Sequence, residues 1–330
     1  MKQKLYQFFL KQTFNLKISN TNSFDEIIEG ELISKDDPQK TFKVLNGIPC
    51  FIDHYSNYAD NFGLQWNLFR EEQLDSYSGL PISEKRFWEN TRWKNTDLEN
   101  KVILEAGSGA GRFTEVLSKT GARIASFDLS SAVKANYENN KEKENVFIFQ
   151  SDIYDIPFPD QYFDYIFCHG VLQHTPAPEV AYNSLFKKLK PGGAISIDYY
   201  LKTSKLSPWV QPKYFWRRIT PNMSPLLLLR IIKCYIPFWL PIDTFIRKIP
   251  LIGEKILACL LIPCWNYTGI GLSYKQRKRW AILDTFDALS AKYDLPKNME
   301  EIKQMVEDEE NASCELFYGG NGIVANIIKK

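Results

Sequence analysis

Between residues 102 and 200 the chain alternates short apolar runs with stretches of helical period, and no other feature restricts its fold as much. VILEA (102–106), RIASFDL (123–129), VFIFQSD (146–152), YFDYIFCHG (162–170) and AISIDYY (194–200) read as strands. RFTEVLSKTGA predicts a helix with Phe113, Val116 and Leu117 on one face, and SSAVKANYENNKEK a second, capped by Ser130 or Ser131. A third, with Val180, Leu185 and Leu189 inward, runs to KPGG (190–193). Such repetition predicts a parallel sheet with helices on both faces. MEEIKQMVEDEE (299–310) then predicts a helix, and CELFYGGNGIVANIIKK two strands joined by GGNG, so the sheet should close on an antiparallel hairpin.

The first strand runs into GSGAGR. Gly107, Gly109 and Gly111 each cost backbone entropy, and a plain strand-to-helix turn needs only one glycine. The cluster predicts a backbone that approaches a ligand closely. A dinucleotide fingerprint starting at Gly107 would need its third glycine at position 112, where Arg112 stands, and no GK[ST] phosphate loop follows. What remains is acid-x-Gly-x-Gly-x-Gly, beginning at Glu105.

This pattern resembles motif I of the class I S-adenosylmethionine-dependent methyltransferases, and the resemblance continues as far as LKPGG before the fifth strand. It implies an α/β fold with a Rossmann-like, doubly wound, mostly parallel seven-stranded sheet, S-adenosylmethionine as cofactor, and methyl transfer as the activity. In that family an acid at the end of the second strand holds both ribose hydroxyls; SFDLS supplies Asp128, 23 residues after Glu105, with Leu129 beside it. QSDI supplies Asp152 for the adenine amino group, with Ile153 adjacent, and FDYIFCHGVLQHT supplies His169 and Gly170 against the methionine part. From the loop the resemblance implies contacts at Glu105, Gly107, Ser108, Gly109 and Gly111. The chemistry agrees, since the two oxygens of a carboxylate suit vicinal hydroxyls. Ligands in such sheets also bind outside the carboxyl ends of the strands. For Asp128 and Asp152 a turn or helix-start carboxylate is the competing reading.

GIPCF (47–51), FGLQWNLF (62–69), QLD (73–75) and LDTFDALSAKYD (283–294) further resemble a bacterial subgroup with an N-terminal module like a small zinc ribbon. No cysteine precedes Cys50, so residues 1–55 read as a metal-free remnant or replacement, and no metal site is expected. Residues 56–100 read as a helical cover, with Phe62, Gln65 and Trp66 over the cofactor or simply packed on the sheet. The methyltransferase core would comprise 101–201 and 281–330, interrupted by a helical insertion over 202–280.

Composition matters most at that insertion. From 200 to 280 there are 14 Lys or Arg against only Asp243 and Glu254, a local net of +12 in a chain of net charge +2. The separation points to an anionic partner, whether phosphate, nucleic acid or lipid headgroup, or to a solvated basic face. PLLLLRIIKCYIPFWLPI and LACLLIPCWNYTGIGLSY are apolar and aromatic, but Pro237, Pro241 and Pro263 predict helices of about 12 residues at most, short of the roughly 20 that cross a bilayer. The insertion reads as an acceptor lid or a surface-binding unit. Six scattered cysteines without a CxxC pair, and N-terminal apolar runs broken by lysine, give a cytoplasmic expectation, with peripheral membrane contact through 202–280 as an addition to it.

An activated methyl group chiefly needs an aligned acceptor, and a base only where the acceptor must lose a proton. His174, in GVLQHTP after the fourth strand, is the preferred base or acceptor-positioning residue; a structural histidine bonded to a loop carbonyl is the equal alternative. Asp198 and Tyr199 are further acceptor-side candidates, while His54 has no supporting constellation. No Ser-His-Asp or Cys-His spacing supports a hydrolase. The acceptor stays open among a small or medium, anionic metabolite, a lipid or lipid-linked molecule, and RNA. A scaffold that binds cofactor without turnover is the non-enzymatic reading.

Overall fold

The computed structural model describes residues 1–52, 57–202, 212–307 and 312–330, so His54 and residues 308–310 of the predicted C-terminal helix lie outside the described residues. The strands are β1 (Phe14–Thr21), β2 (Ile27–Ser34), β3 (Thr41–Leu45), β4 (Ile48–Phe51), β5 (Val102–Ala106), β6 (Arg123–Asp128), β7 (Val146–Ser151), β8 (Phe163–Cys168), β9 (Leu189–Tyr199), β10 (Ala312–Gly319) and β11 (Gly322–Lys329). They form one mixed sheet in the order β1-β2-β3-β4-β7-β6-β5-β8-β9-β11-β10. The five strands β5 to β9 pair in parallel, and β11 runs antiparallel between β9 and β10. KPGG, expected between a helix and a strand, lies inside β9 as a bulge. Phe163 pairs with Leu189 and Tyr165 with Ala194, so the intervening residues loop out of register.

Among the described residues the sheet has eleven strands and not seven. Within residues 1–55, read from the sequence as a small N-terminal module, the chain forms the antiparallel meander β1–β4, and β4 joins β7 in parallel through Cys50–Gln150 and Phe51–Ser151. Asn46 and Gly47, both at positive φ, make the two-residue turn that fits a β3–β4 hairpin. The segment shares the main core: Phe9 of α1 (Gln3–Phe9) stacks on Phe147 at 5.1 Å, and Phe51 meets Phe149 at 5.9 Å.

Helices α2 (Asp60–Leu68), α3 (Asp75–Ser78), α4 (Ile82–Thr91), α5 (Arg112–Leu117), α6 (Ala132–Asn140) and α7 (Pro178–Lys188) surround the sheet. Phe87, Phe113, Val116, Leu117 and Val133, from α4, α5 and α6, pack on one face against Ile103, Ile124 and Phe167. The other face is covered by α1, α7 and α12 (Met299–Glu307).

The insertion contributes α8 (Pro212–Trp216), α9 (Pro225–Arg247), α10 (Gly253–Leu260) and the start of α11 (Tyr274–Ser290), which continues unbroken into the core. Here the proline argument fails. α9 runs 23 residues through Pro237 and Pro241, and by length and composition, with a mean hydropathy of 1.5, it is long and apolar enough to cross a membrane. Each interior proline costs about 3 kcal/mol. Against that, Leu228, Leu229, Ile232, Ile236 and Leu240 are buried on Phe69, Leu283 and Phe286, at about 1.5–3 kcal/mol apiece. The carbonyl of Pro237, left without its helical partner by Pro241, accepts from the Tyr274 hydroxyl at 3.5 Å.

Candidate active site

A cavity of about 1430 Å³ opens along the carboxyl ends of the parallel strands, larger than the roughly 300–1,000 Å³ of a one-ligand site. The glycine loop forms one wall. Gly107 and Ser108 both donate their N–H to Phe127 O at 2.9 Å, which folds the loop back over β6. Gly107 and Gly109, with φ of 71° and 54°, line the cavity, where a Cβ would lie 2.3 Å from Val171 Cγ2 and 3.1 Å from Trp66 respectively. Gly111 is different. It stands outside the cavity wall, and a Cβ there would meet Asn136 Oδ1 of α6 at 2.1 Å, so its glycine serves helix packing.

Glu105, expected as a cofactor contact, is likewise behind the wall. It is 2% exposed, and its Oε2 accepts from Thr114 Oγ1 at 2.5 Å and Ser126 Oγ at 2.7 Å. Burial pushes its carboxyl up to about 7, against these hydrogen bonds. The folded state therefore holds this proton more tightly than the unfolded chain. Stability is lost as pH rises from about 4.5 to 7, by about 3 kcal/mol at full ionisation. Glu105→Gln, whose amide oxygen can still accept both hydroxyls, should flatten that part of the melting-temperature curve and melt higher than the parent above pH 7. Parallel curves for the two proteins would sink the assignment.

Asp128 ends β6 and lines the cavity with Phe127 and Leu129. Its Oδ2 accepts from Gly109 N–H at 2.9 Å, and its Oδ1 from Ser130 N–H at 2.8 Å and Ser130 Oγ at 2.7 Å. Burial raises its pKa against these bonds. Ile153 lines the cavity, whereas Asp152 stands just outside its wall, half-buried, with Oδ1 accepting from Tyr154 N–H at 3.1 Å. Trp66 and Phe62 of α2 also line the cavity, Trp66 against Gly109 of the loop; Gln65 is fully buried, donating to Asp287 Oδ1 at 2.8 Å.

At the floor, His169 stacks on Phe167 and its Nε2 lies 2.9 Å from Ser196 Oγ. Burial pushes it down to about 4, so it is neutral. Asp198, fully buried, accepts from Gly170 N–H and from Arg86 Nη2, the latter at 3.1 Å. Neither Asp198 nor Tyr199 lines the cavity; Tyr199 points into the core toward Met305, and the next residue, Tyr200, takes the place in the wall. His174 does line the cavity; its Nδ1 lies 2.8 Å from Tyr293 O, to which it donates, and its Nε2 lies 3.5 Å from the Tyr200 hydroxyl. Both readings of this residue thus have a geometric basis.

The cavity is also lined by residues that sequence reasoning did not single out for chemistry. Arg112 Nη1 donates to Gln73 Oε1 at 2.6 Å, and Gln73 Nε2 donates to Asp284 Oδ1 at 3.0 Å. The Tyr267 hydroxyl donates to Asp284 Oδ2. Asp284 is pushed up to about 7 by burial and the charge of Asp287, with Tyr267, Arg112 and Arg86 opposing. Tyr267 is driven well above the usual phenol range by burial and Asp284. Of these, Gln73 and Asp284 fall in QLD and LDTFDALSAKYD, which the sequence marks only by a subgroup resemblance, Arg112 is read there only as excluding a dinucleotide fingerprint, and Tyr267 carries no signal.

Residues 104–197 match the family described as "Methyltransferase domain". The chain is 35% identical over 105 residues to a tRNA U34 carboxymethyltransferase of Nautilia profundicola, covering 31% of this chain and 35% of that protein. It is 32% identical over 100 residues to a ubiquinone biosynthesis O-methyltransferase of Coxiella burnetii, covering 30% of this chain and 43% of that protein. The chain therefore spans well under two thirds of the length of these relatives. A solved structure of a putative S-adenosyl-L-methionine-dependent methyltransferase from Methanococcus maripaludis is 16% identical with a TM-score of 0.44, covering 85% of this chain and 97% of that one. On the family match, residues 104–197, from β5 into β9, form a methyltransferase domain, with S-adenosylmethionine as its cofactor. The cavity fits that molecule: Gly107 and Gly109 present bare backbone to it, a Cβ there being barred by Val171 and Trp66, and Ser108 Oγ is buried in the wall with no hydrogen-bond partner among the described residues.

Proposed function

We propose that the protein transfers the methyl group of S-adenosylmethionine to a hydroxyl of a small or medium-sized acceptor carrying an anionic group. The observation that supports this reading is that one cavity is lined both by the glycine loop and Asp128 and by Asp284, Tyr267 and Arg86. Asp128 would hold the ribose, Ile153 and Leu129 would flank the adenine, and Asp152 would reach its amino group only by turning toward the cavity. When bound, the cofactor supplies an activated methyl group. Asp284 then takes the proton that the acceptor hydroxyl gives up, Tyr267 keeps the carboxylate oriented, and Arg86 and Lys85 face the acceptor's negative charge. The two relatives differ in the reaction their names give, and each matches under a third of this chain, which fits an acceptor chosen by walls outside the matched stretch.

A second reading, a lipid or lipid-linked acceptor, is favoured by the exposed apolar side of α9, whose inner side helps close the cavity. Methyl-labelled cofactor, incubated with the protein and a fractionated cell extract, separates the cases. Label in the polar small-molecule fraction is the expected result, and label in the lipid fraction would move the assignment to the second reading. Label in RNA would reject both. Intact cofactor binding without any label transfer would leave a scaffold.

A further inference from the structure

A surface helix ordinarily turns a polar face to water. α9 does not. Its inner face is buried on α11, and its outer face carries Leu227, Ile231, Phe238, Ile242 and Phe245, all exposed and spaced to lie on one side of the helix. Phe238 and Phe245 are 78% and 71% exposed. Beyond the end of the helix, Leu251 sits at positive φ in the turn to α10 and is 95% exposed, an apolar tip with no packing role.

Charge decides what covers this face. Arg230 of α9, Lys248 at its C-terminal end and Lys255 of α10 are exposed, and among the described residues no carboxylate lies within ion-pair distance of any of them. Of the two acids on α9 and α10, Asp243 is buried and held by Arg247 and Asn266, and Glu254 is 3.6 Å from Arg247. A second copy of the chain on the stripe would bring like cations together. An acidic lipid surface would meet both the apolar stripe and its cationic border. Because the inner face of α9 is committed to Leu283 and Phe286, lipid cannot surround the helix.

We propose that the outer face of α9, with the α9–α10 turn, rests in the surface of an anionic lipid bilayer, the helix lying in the membrane plane. The inner side of the same unit, through Asp243, Arg247 and Leu257, lines the cavity, so docking sets the cavity directly above the lipid. This holds whichever acceptor is methylated.

Flotation of the full-length protein tests it, with vesicles of phosphatidylcholine alone and of phosphatidylcholine with phosphatidylserine. Binding to the acidic vesicles should be about tenfold or more stronger than to neutral ones, and should weaken in high salt. Phe238→Ser with Phe245→Ser, both exposed and outside the cavity wall, should weaken it by a similar factor while calorimetric binding of the demethylated cofactor stays unchanged. Absence of flotation with acidic vesicles overturns the proposal, as does flotation that the double variant leaves intact. A vesicle-free dimer that the double variant dissolves would assign the stripe to a second copy of the chain instead.

Discussion

Asp128→Ala is expected to weaken binding of S-adenosylmethionine and of its demethylated product by about 100-fold or more, read by calorimetry. Three donors occupy the Asp128 carboxylate, from Gly109 N–H, Ser130 N–H and the Ser130 hydroxyl. A carboxylate has about four acceptor positions. The Ser130 hydroxyl can turn aside, and two positions then face two vicinal ribose hydroxyls. Hydrogen bonds to a charged group contribute about 1.5–3 kcal/mol each, so losing two gives the stated factor. The same carboxylate also holds the glycine loop, and the melting temperature of the variant must therefore be read alongside. Unchanged affinity in a folded variant would remove the ribose assignment and leave Asp128 as a turn carboxylate.

The second large effect is expected at Asp284. With the acceptor fraction found by methyl labelling, Asp284→Asn should lower kcat by about 10²–10⁴-fold, the usual contribution of a positioned base, while cofactor affinity stays within a factor of about two, since no charge-assisted bond to the cofactor is removed. The pH profile adds a reading that a structural role would not give. Facing Asp284 are Tyr267, Asp287, Arg112 and Arg86, and together with burial they set its carboxyl near 7. The carboxylate is the proton-accepting form, so turnover should fall as pH drops below about 7, and the variant should lose that limb. His174→Gln is the comparison. If it abolishes turnover and Asp284→Asn does not, the base is His174, acting through the Nε2 that faces Tyr200.

What could be read in advance followed from how local each cause is. VILEA and VFIFQ are buried on both faces of the sheet, so their apolar runs report burial directly. Gly107 and Gly109 signal a backbone demand, which no neighbour can disguise. The meander β1–β4 was hidden because its partner strand lies far along the chain, and β1 at the sheet edge exposes most of its residues. α9 was misjudged because proline acts locally, whereas five buried aliphatic residues act through contacts the sequence does not display. Glu105 and Gly111 occupy signature positions, yet the same residue types suit packing behind the loop as well as contact in front of it. Gln73, Arg112, Tyr267 and Asp284 come from four segments and acquire meaning only where the fold brings them together.

The parallel pairing of β4 with β7 also dictates an order of events during synthesis. Phe14, Phe42 and Phe51 emerge early, but Phe147 and Phe149, against which the meander packs, follow only when residue 149 has been made. At ~5–20 residues per second the wait is on the order of 5–20 s. Through that interval a nascent chain carries a phenylalanine-rich sheet face with only α1 to cover it, the kind of surface that chaperones hold. Slow delivery of the 146–151 strand should therefore cost yield before it costs stability in the finished protein.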